Sequence, residues 1–147
     1  MRILIDTHYV LWSALHPESI KPWAREMLTD LKNEVLVSAA SVYEISLKVR
    51  LRRLPEAELF ESDLVANIEE SLGYRLLPLE PETMFRAARF EDKHPDPFDR
   101  MIAAQAIQLN LPLLSVDPKL DAFGVRRIMV SDVKPKQATS PKAKGMR

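Results

Sequence analysis

The sequence predicts an α/β protein in which helices flank a mostly parallel central sheet. Short apolar segments typical of buried strands alternate with segments whose apolar residues recur at helical spacing, and this alternation favours parallel strands joined by helical crossovers. Two strand-like segments, RILI and LLSV, end directly on Asp6 and Asp117. Binding sites in open α/β sheets form outside the carboxyl ends of the strands, so the pattern also predicts where a site would lie.

Four segments are predicted to be strands, and a fifth is a candidate. The four are RILID (2–6), EVLVS (34–38), YRLLPL (74–79) and LPLLSVD (111–117). The candidate is VRRIMV (125–130), which follows a short helical turn. Short apolar segments of this kind suit the interior of a sheet covered by helices.

Proline and glycine set the bounds of most predicted helices. Pro22 and Pro81 suit the first turn of a helix. Pro55 stops one helix and Gly73 ends another. The predicted helices are 7–15, 22–31, 41–53, 57–72, 81–90 and the segment that begins near residue 96.

The segment HPDPFDRMIAAQAIQLN gives the clearest helical signal in the chain. Its apolar and amide side chains fall at i, i+3, i+4, i+7, i+8 and i+11, which places them on one helical face. These residues are Phe98, Met101, Ile102, Gln105, Ala106 and Leu109. A helix here is therefore predicted to pack one side against the sheet.

Composition is typical of a single globular domain. Apolar residues make up 46% of the 147 residues, which is enough for one core. No apolar run approaches the roughly 18 residues that span a bilayer, and the start lacks the long apolar stretch of a secretory signal. The absence of cysteine excludes a disulfide scaffold, a thiolate zinc site and a cysteine nucleophile. We therefore expect a cytoplasmic protein that does not contact a membrane.

Charge is distributed unevenly, although the formal net charge is zero. Five of the 21 basic residues lie in 134–147, which holds no acidic residue, so residues 1–133 keep 16 basic against 21 acidic residues. The tail is rich in lysine, proline and alanine and lacks the apolar residues needed to pack, which predicts disorder. We expect a folded domain over 1–133 and a basic tail over 134–147. An acidic domain argues against wholesale wrapping of nucleic acid, but it does not exclude a nuclease with a carboxylate metal site.

Four acids are predicted to meet in one cleft. Asp6 and Asp117 stand at the carboxyl ends of strands. Glu44 is predicted in the first turn of the helix after EVLVS, and Asp99 in the first turn of the helix that precedes LLSV. Helices that leave the same edge of a parallel sheet present their first turns near that edge, so all four carboxylates are expected there.

Each acid also has an interpretation as part of a helix cap. Asp6 and Asp117 stand where caps are common. Ser41 and Glu44 have the spacing of a capping box, and Asp99 lies near the positive end of its helix. The two interpretations are compatible because a cap position is also an open position at the sheet edge. Independent capping does not explain why two strands end on aspartate with two more acids on first turns nearby.

Carboxylates gathered in one cleft repel each other and raise one another's pKa values. A divalent cation resolves the repulsion, and an all-oxygen ligand set suits Mg²⁺ or Mn²⁺ rather than zinc. Such ions activate water and neutralise charge on a phosphodiester during in-line attack. The acidic cluster thus predicts metal-assisted phosphodiester chemistry.

The motifs IDTH, SxxEIxxK, HPDPFDRMIAAQA and LLSVD follow one another in this order. Together they resemble PIN domains, and specifically the VapC-type toxins of bacterial toxin–antitoxin pairs, over nearly all of residues 1–130. The resemblance implies a PIN-like three-layer fold and a metal-dependent endoribonuclease that a small antitoxin holds inactive. It assigns the acidic set that holds Mg²⁺ or Mn²⁺ and positions water to Asp6, Glu44, Asp99 and Asp117.

The resemblance favours Asp99 over Asp96 as the metal ligand, because the family's acid stands in the place of Asp99. Thr7 is a candidate assistant beside Asp6. For His94 a loop or cap contact is favoured over catalysis. The basic run at the end of the 41–53 helix is either a solvated helix end or a positioner of phosphates. Its members are Lys48, Arg50, Arg52 and Arg53.

Two other functions remain open. The first is a catalytically silent PIN module that binds a protein partner or RNA, which loss of an acidic position would favour. The second is a metal-dependent phosphatase, against which His8 counts because it stands where a second aspartate is expected.

The stripe of Leu64, Ile68 and Leu72 on the predicted 57–72 helix further suggests an apolar surface that a homodimer would cover.

Overall fold

A four-stranded parallel sheet forms the centre of the computed structural model, which describes residues 1–133. The strands are β1 (Arg2–Ile5), β2 (Glu34–Ser38), β3 (Arg75–Leu77) and β4 (Leu113–Leu114). They lie in the order β3-β2-β1-β4. The predicted α/β class with a parallel sheet is confirmed, and the topology places β1 beside both β2 and β4.

Helices cover the sheet and follow the predicted order. They are α1 (Thr7–Leu15), α2 (Pro22–Thr29), α3 (Ala39–Arg50), α4 (Glu58–Glu61), α5 (Leu64–Ala66), α6 (Pro81–Arg89) and α7 (Pro97–Gln108). Proline opens α2, α6 and α7, where its missing N–H has no helical partner to lose. No helix among residues 1–133 is both long enough and apolar enough to cross a membrane.

Side chains that alternate along β1 divide the core into two layers. Ile3 and Ile5 join one apolar cluster with Ile45 of α3, while Leu4 joins a second with Ile102 of α7 and Leu120. This alternation follows from the two-residue period of a strand. The sheet is thus buried on both faces, which confirms the three-layer arrangement of helices, sheet and helices.

The register of β1 sets the edge at which a site can form. Ile5 pairs with Val37 of β2 and with Leu114 of β4, and Asp6 N–H donates to the Leu114 carbonyl at 3.1 Å. The chain therefore leaves β1, β2 and β4 at nearly the same level, after Ile5, Ser38 and Leu114. Asp6, α3 and the segment through Asp117 all start from this edge.

The predicted continuous helix over 57–72 is wrong. Asp63 takes φ −139° and ψ 54°, which is not helical, and separates α4 from α5 and the π-helical turn at Asn67–Ser71. Leu64 and Ile68 are buried, and Leu72 packs against the same apolar cluster. The stripe that suggested a dimer surface is therefore covered by the protein's own core.

The candidate fifth strand over 125–130 is reduced to a single bridge between Leu113 and Arg127. Leu113 N–H donates to the Arg126 carbonyl and Ile128 N–H donates to the Leu113 carbonyl, both at 2.9 Å. Ile128 is the only buried residue of this segment, whereas three of the four β1 residues are buried. The predicted tail, 134–147, lies outside the described residues, and the domain boundary at 133 stays a prediction.

Candidate metal centre

Asp6 caps a helix and also stands at the sheet edge where the metal site is predicted. Its Oδ1 accepts the Tyr9 N–H at 3.1 Å and so caps α1, yet its side chain is buried at the sheet edge. Burial raises the pKa of Asp6, and the charge of Glu44 adds to this rise, while hydrogen bonds from Ser115 and the Tyr9 N–H oppose it. A buried carboxylate beside another acid is where a cation would lower the energy most.

Asp96 and Asp99 have different contacts at the start of α7. Asp96 is the cap, because its Oδ1 accepts the N–H groups of Phe98 at 2.8 Å and Asp99 at 3.2 Å. Asp99 instead faces His94, with 3.5 Å between its Oδ2 and the histidine Nε2. The predicted choice between the two acids therefore has a geometric basis.

The pKa of Asp99 is raised to about 6. Burial is the largest cause, and the charge of Asp96 is the next. Glu44 and Asp6 also raise the pKa of Asp99, whereas His94 lowers it. Since charge effects decline with distance, this places Asp99 in the field of the other sheet-edge acids.

Asp117 also uses one carboxylate oxygen as a cap and leaves the other for the site. Its Oδ1 accepts the Lys119 N–H at 3.0 Å, and its Oδ2 lies 3.9 Å from His94 Nε2. The Asp117 N–H donates to Ser115 Oγ at 3.1 Å. Because Ser115 is also hydrogen-bonded to Asp6, it links the two aspartates that follow β1 and β4.

Glu44 stands one turn deeper in its helix than predicted. The side chain of Ser38 caps α3 by accepting the Ala40 N–H at 3.0 Å, so the helix starts at Ala39 and the predicted capping box at Ser41 is wrong. The Ser41 hydroxyl instead lies 2.9 Å from the Thr7 hydroxyl. The buried Glu44 carboxylate accepts a hydrogen bond from Lys48, four residues further along the same helix.

His94 and Ser115 are site residues that the sequence argument did not identify. His94 makes the cap contact it was expected to make, with Nδ1 accepting the Asp96 N–H at 3.3 Å, but its other nitrogen faces two acids. A histidine two residues before a helix cap was the available signal. Ser115 gave none, because a serine two residues before an aspartate is common in loops.

Ligand atoms of His94, Asp99 and Asp117 all lie within 4.8 Å of one another, a spacing at which one ion can reach them. Burial, with a smaller contribution from neighbouring acids, raises the pKa values of Asp6 and Asp99, so added positive charge would favour their ionised forms. The donor set is dominated by carboxylate oxygens, which fits Mg²⁺ or Mn²⁺. The site thus fits a divalent cation, although the roles of the individual residues stay predictions.

These features define a three-layer α/β protein with an acidic candidate metal centre at the carboxyl edge of a parallel sheet. The family model of the PIN domain matches residues 3–125, and the chain therefore belongs to the PIN domain family. No curated protein sequence matches the chain.

Three solved structures illustrate the shared fold, and one of them is described as a toxin. FitAB bound to an IR36 DNA fragment aligns with TM-score 0.61 and 20% identity over 91% of this chain and 99% of that chain. FitAcB from Neisseria gonorrhoeae aligns with TM-score 0.55 and 21% identity over 88% of this chain and 98% of that chain. The sarcin-ricin loop cleaving toxin VapC20 of Mycobacterium tuberculosis aligns with TM-score 0.52 and 17% identity over 86% of this chain and 98% of that chain. At these identities the likeness establishes a shared fold.

Proposed function

We propose that this protein is a divalent-metal-dependent endoribonuclease that acts as the toxin of a toxin–antitoxin pair. The observation that carries the proposal is the convergence of Asp99 and Asp117 on one point, within the field of the buried Asp6 and Glu44. Membership of the PIN family supports nuclease chemistry at this site. We assign metal binding and catalysis to Asp6, Glu44, Asp99 and Asp117.

A bound Mg²⁺ or Mn²⁺ would supply an activated water and neutralise charge on the phosphodiester. The protein's own residues prepare the site for that cation. Asp117 keeps Oδ2 free of its cap and aims it at the centre, and Asp99 is relieved of capping by Asp96. Lys48 holds the Glu44 carboxylate in place through a direct hydrogen bond.

The toxin role and the RNA substrate are supported by the solved structures of similar fold. One of them is described as a toxin that cleaves the sarcin-ricin loop. By analogy we propose RNA as the substrate and a small antitoxin protein as the partner. A toxin acting on cellular RNA would work in the cytoplasm, and a chain without cysteine suits that reducing compartment.

We also propose a homodimer, on a different surface from the one first predicted. Tyr43 is 62% exposed and Val65 is 52% exposed, although both are large and apolar. They line one apolar groove together with Val42 and Leu76. Sedimentation should show that Val65→Glu shifts the protein towards monomer, while Leu59→Glu, at another exposed leucine, leaves the oligomeric state unchanged.

RNA cleavage by the purified protein tests the catalytic proposal. We expect cleavage with Mg²⁺ or Mn²⁺, none with chelator, and a loss on the order of a hundredfold or more in Asp6→Asn and Asp99→Asn. Asp63→Asn is the matched control, because Asp63 is exposed on another element. Metal-dependent RNA binding without cleavage would favour the silent module. Hydrolysis of phosphomonoesters alone would favour the phosphatase.

A further inference from the structure

His94 contributes a nitrogen to the candidate metal centre, and its local contacts indicate what that nitrogen does. Its Nε2 lies 3.5 Å from Asp99 Oδ2 and 3.9 Å from Asp117 Oδ2. The ring packs against Phe123, with 5.7 Å between ring centroids. Only 12% of the side chain is exposed, so the orientation of the ring is restricted by its surroundings.

The opposite ring nitrogen determines the tautomer. His94 Nδ1 accepts the Asp96 N–H at 3.3 Å, and a nitrogen that accepts a hydrogen bond carries no proton. The single proton of the neutral ring must then lie on Nε2, which faces the two aspartates. For Nε2 to bind a metal ion directly, the proton would have to move to Nδ1, where it would oppose the Asp96 N–H.

We propose that His94 is a positioning residue that directs its Nε2–H at the Asp99 carboxylate, with the Asp117 carboxylate next nearest, and is not itself a metal ligand. The inference rests on the proposed metal centre and adds a role that the four acids do not fill. Carboxylates that hold a metal are commonly oriented by hydrogen bonds from a surrounding donor. His94 supplies one donor between two such carboxylates, and the ligand set stays all oxygen.

Arg100 fixes the segment that carries His94. Its guanidinium donates to the carbonyls of His94 at 3.1 Å and Phe90 at 2.9 Å. Further bonds reach the carbonyls of Ala87, Ala88 and Asp92. The guanidinium also lies 5.9 Å and 5.8 Å from the ring centroids of Phe90 and Phe123. Arg100 therefore ties the 87–94 segment to α7, the helix that bears Asp99.

The first test is spectroscopic and uses Mn²⁺ as the probe. Electron spin-echo modulation of the Mn²⁺-loaded full-length protein should show no coupling from a directly coordinated imidazole nitrogen. The spectrum of His94→Gln should therefore match that of the parent. A coupling present in the parent and lost in that variant would overturn the inference while leaving the metal centre intact. If the parent binds no Mn²⁺, both the inference and the proposed metal centre fail.

The second test measures metal affinity by calorimetry. His94→Ala should weaken Mg²⁺ and Mn²⁺ by similar factors, about 10- to 100-fold. His94→Gln should lose less, because its amide N–H can take the place of Nε2–H. His16→Gln is the matched control, since His16 is exposed and pairs with Glu18. Unchanged or tighter binding in His94→Ala would overturn the inference, as would a loss confined to nitrogen-preferring ions such as Ni²⁺.

The third test addresses Arg100. Arg100→Lys keeps the charge but loses the planar fork of donors, so we expect weaker Mn²⁺ binding in the same direction as His94→Ala. The two changes should not be additive if Arg100 acts through His94. Arg89→Lys serves as control, because Arg89 is exposed and its guanidinium lies over Phe85. Fully additive losses would remove Arg100 from the inference, and the His94 variants then decide it alone.

Discussion

The carboxylate of Asp96 accepts the backbone N–H of Asp99 at 3.2 Å, and this bond separates the roles of two acids on one helical turn. Asp96 satisfies the start of α7, so Asp99 is released from capping and faces the site. Sequence pattern alone offers both acids for either role, since both stand near the start of a helix.

Substitutions at these two positions should therefore affect different properties, stability at Asp96 and cleavage at Asp99. Asp96→Ala should lower the free energy of unfolding by about 1 kcal/mol, because two N–H groups lose their acceptor. Asp99→Asn should leave the cap intact and abolish metal-dependent cleavage. Thermal melts without metal and cleavage rates with it measure the two effects. Asp96→Asn is the control, and cleavage at the parental rate by Asp99→Asn would assign Asp99 a structural role.

Metal-free stability should depend on pH through Asp99. Its pKa in the folded protein is about 6, above the ordinary value of 3.8, so the folded state holds this proton more tightly than the unfolded chain. The stabilisation is complete below about pH 4 and is lost as the pH rises through 6. Two pKa units correspond to at most about 3 kcal/mol.

Asp99→Asn should remove this contribution, so the parent and variant should diverge in melting temperature between pH 4 and 7 without metal. Subtracting the melting temperature of the parent from that of the variant cancels the contributions of acids whose pKa is lowered, such as Glu34. Mg²⁺ should reduce the divergence, because a cation stabilises the ionised form. Parallel pH profiles for the two proteins would contradict the raised pKa.

The parallel sheet and the edge at which Asp6 and Asp117 lie were predictable because they depend on local pattern. Asp6 and Asp117 follow apolar strand segments, and parallel strands place such positions at one edge. The position of His94 was not predictable in the same way. Its ring packs against Phe123 and its backbone carbonyl accepts a hydrogen bond from Arg100 of α7, and the local sequence pattern does not show these contacts.

Periodicity failed where one pattern allowed two structures. Leu64, Ile68 and Leu72 recur every four residues, and the pattern holds whether the helix is continuous or broken at Asp63. The spacing showed that the side chains share a face but not what covers it. In the structure the core covers them, which no count of apolar residues could decide.

Burial of this segment predicts a contrast between adjacent positions. Ile68 is 0% exposed, so Ile68→Ala should lower the free energy of unfolding by about 2–5 kcal/mol. Val65 is 52% exposed, and Val65→Ala should change it by less than about 0.5 kcal/mol in the monomer. Urea denaturation at low protein concentration measures both. Equal, small effects would mean that the stripe is not core.

Lys48 should stabilise the metal-free site. The Glu44 side chain is 7% exposed, so Lys48→Met leaves a buried carboxylate without its cation. We expect a loss of about 1–2 kcal/mol without metal, partly restored by Mg²⁺. Glu44→Gln combined with Lys48→Met should be less destabilised than Lys48→Met alone. Lys21→Met, at an exposed position, is the control, and an equal loss there would rule out a specific pair.

The basic tail should contribute charge rather than fold. A chain ending at Val133 keeps the Val133 side chain, which packs against the core, so it should melt cooperatively at the full-length temperature. The tail holds five basic residues and no acidic one, so its loss should weaken RNA binding at low salt and flatten the dependence of log K on log salt. Full-length protein with the five basic residues changed to glutamine should behave like the truncated chain, because only charge is removed. We also expect the full-length and truncated proteins to bind RNA equally at high salt and to cleave bound RNA at the same rate. Loss of the cooperative melt would instead show that the tail is structural and that the domain does not end at 133.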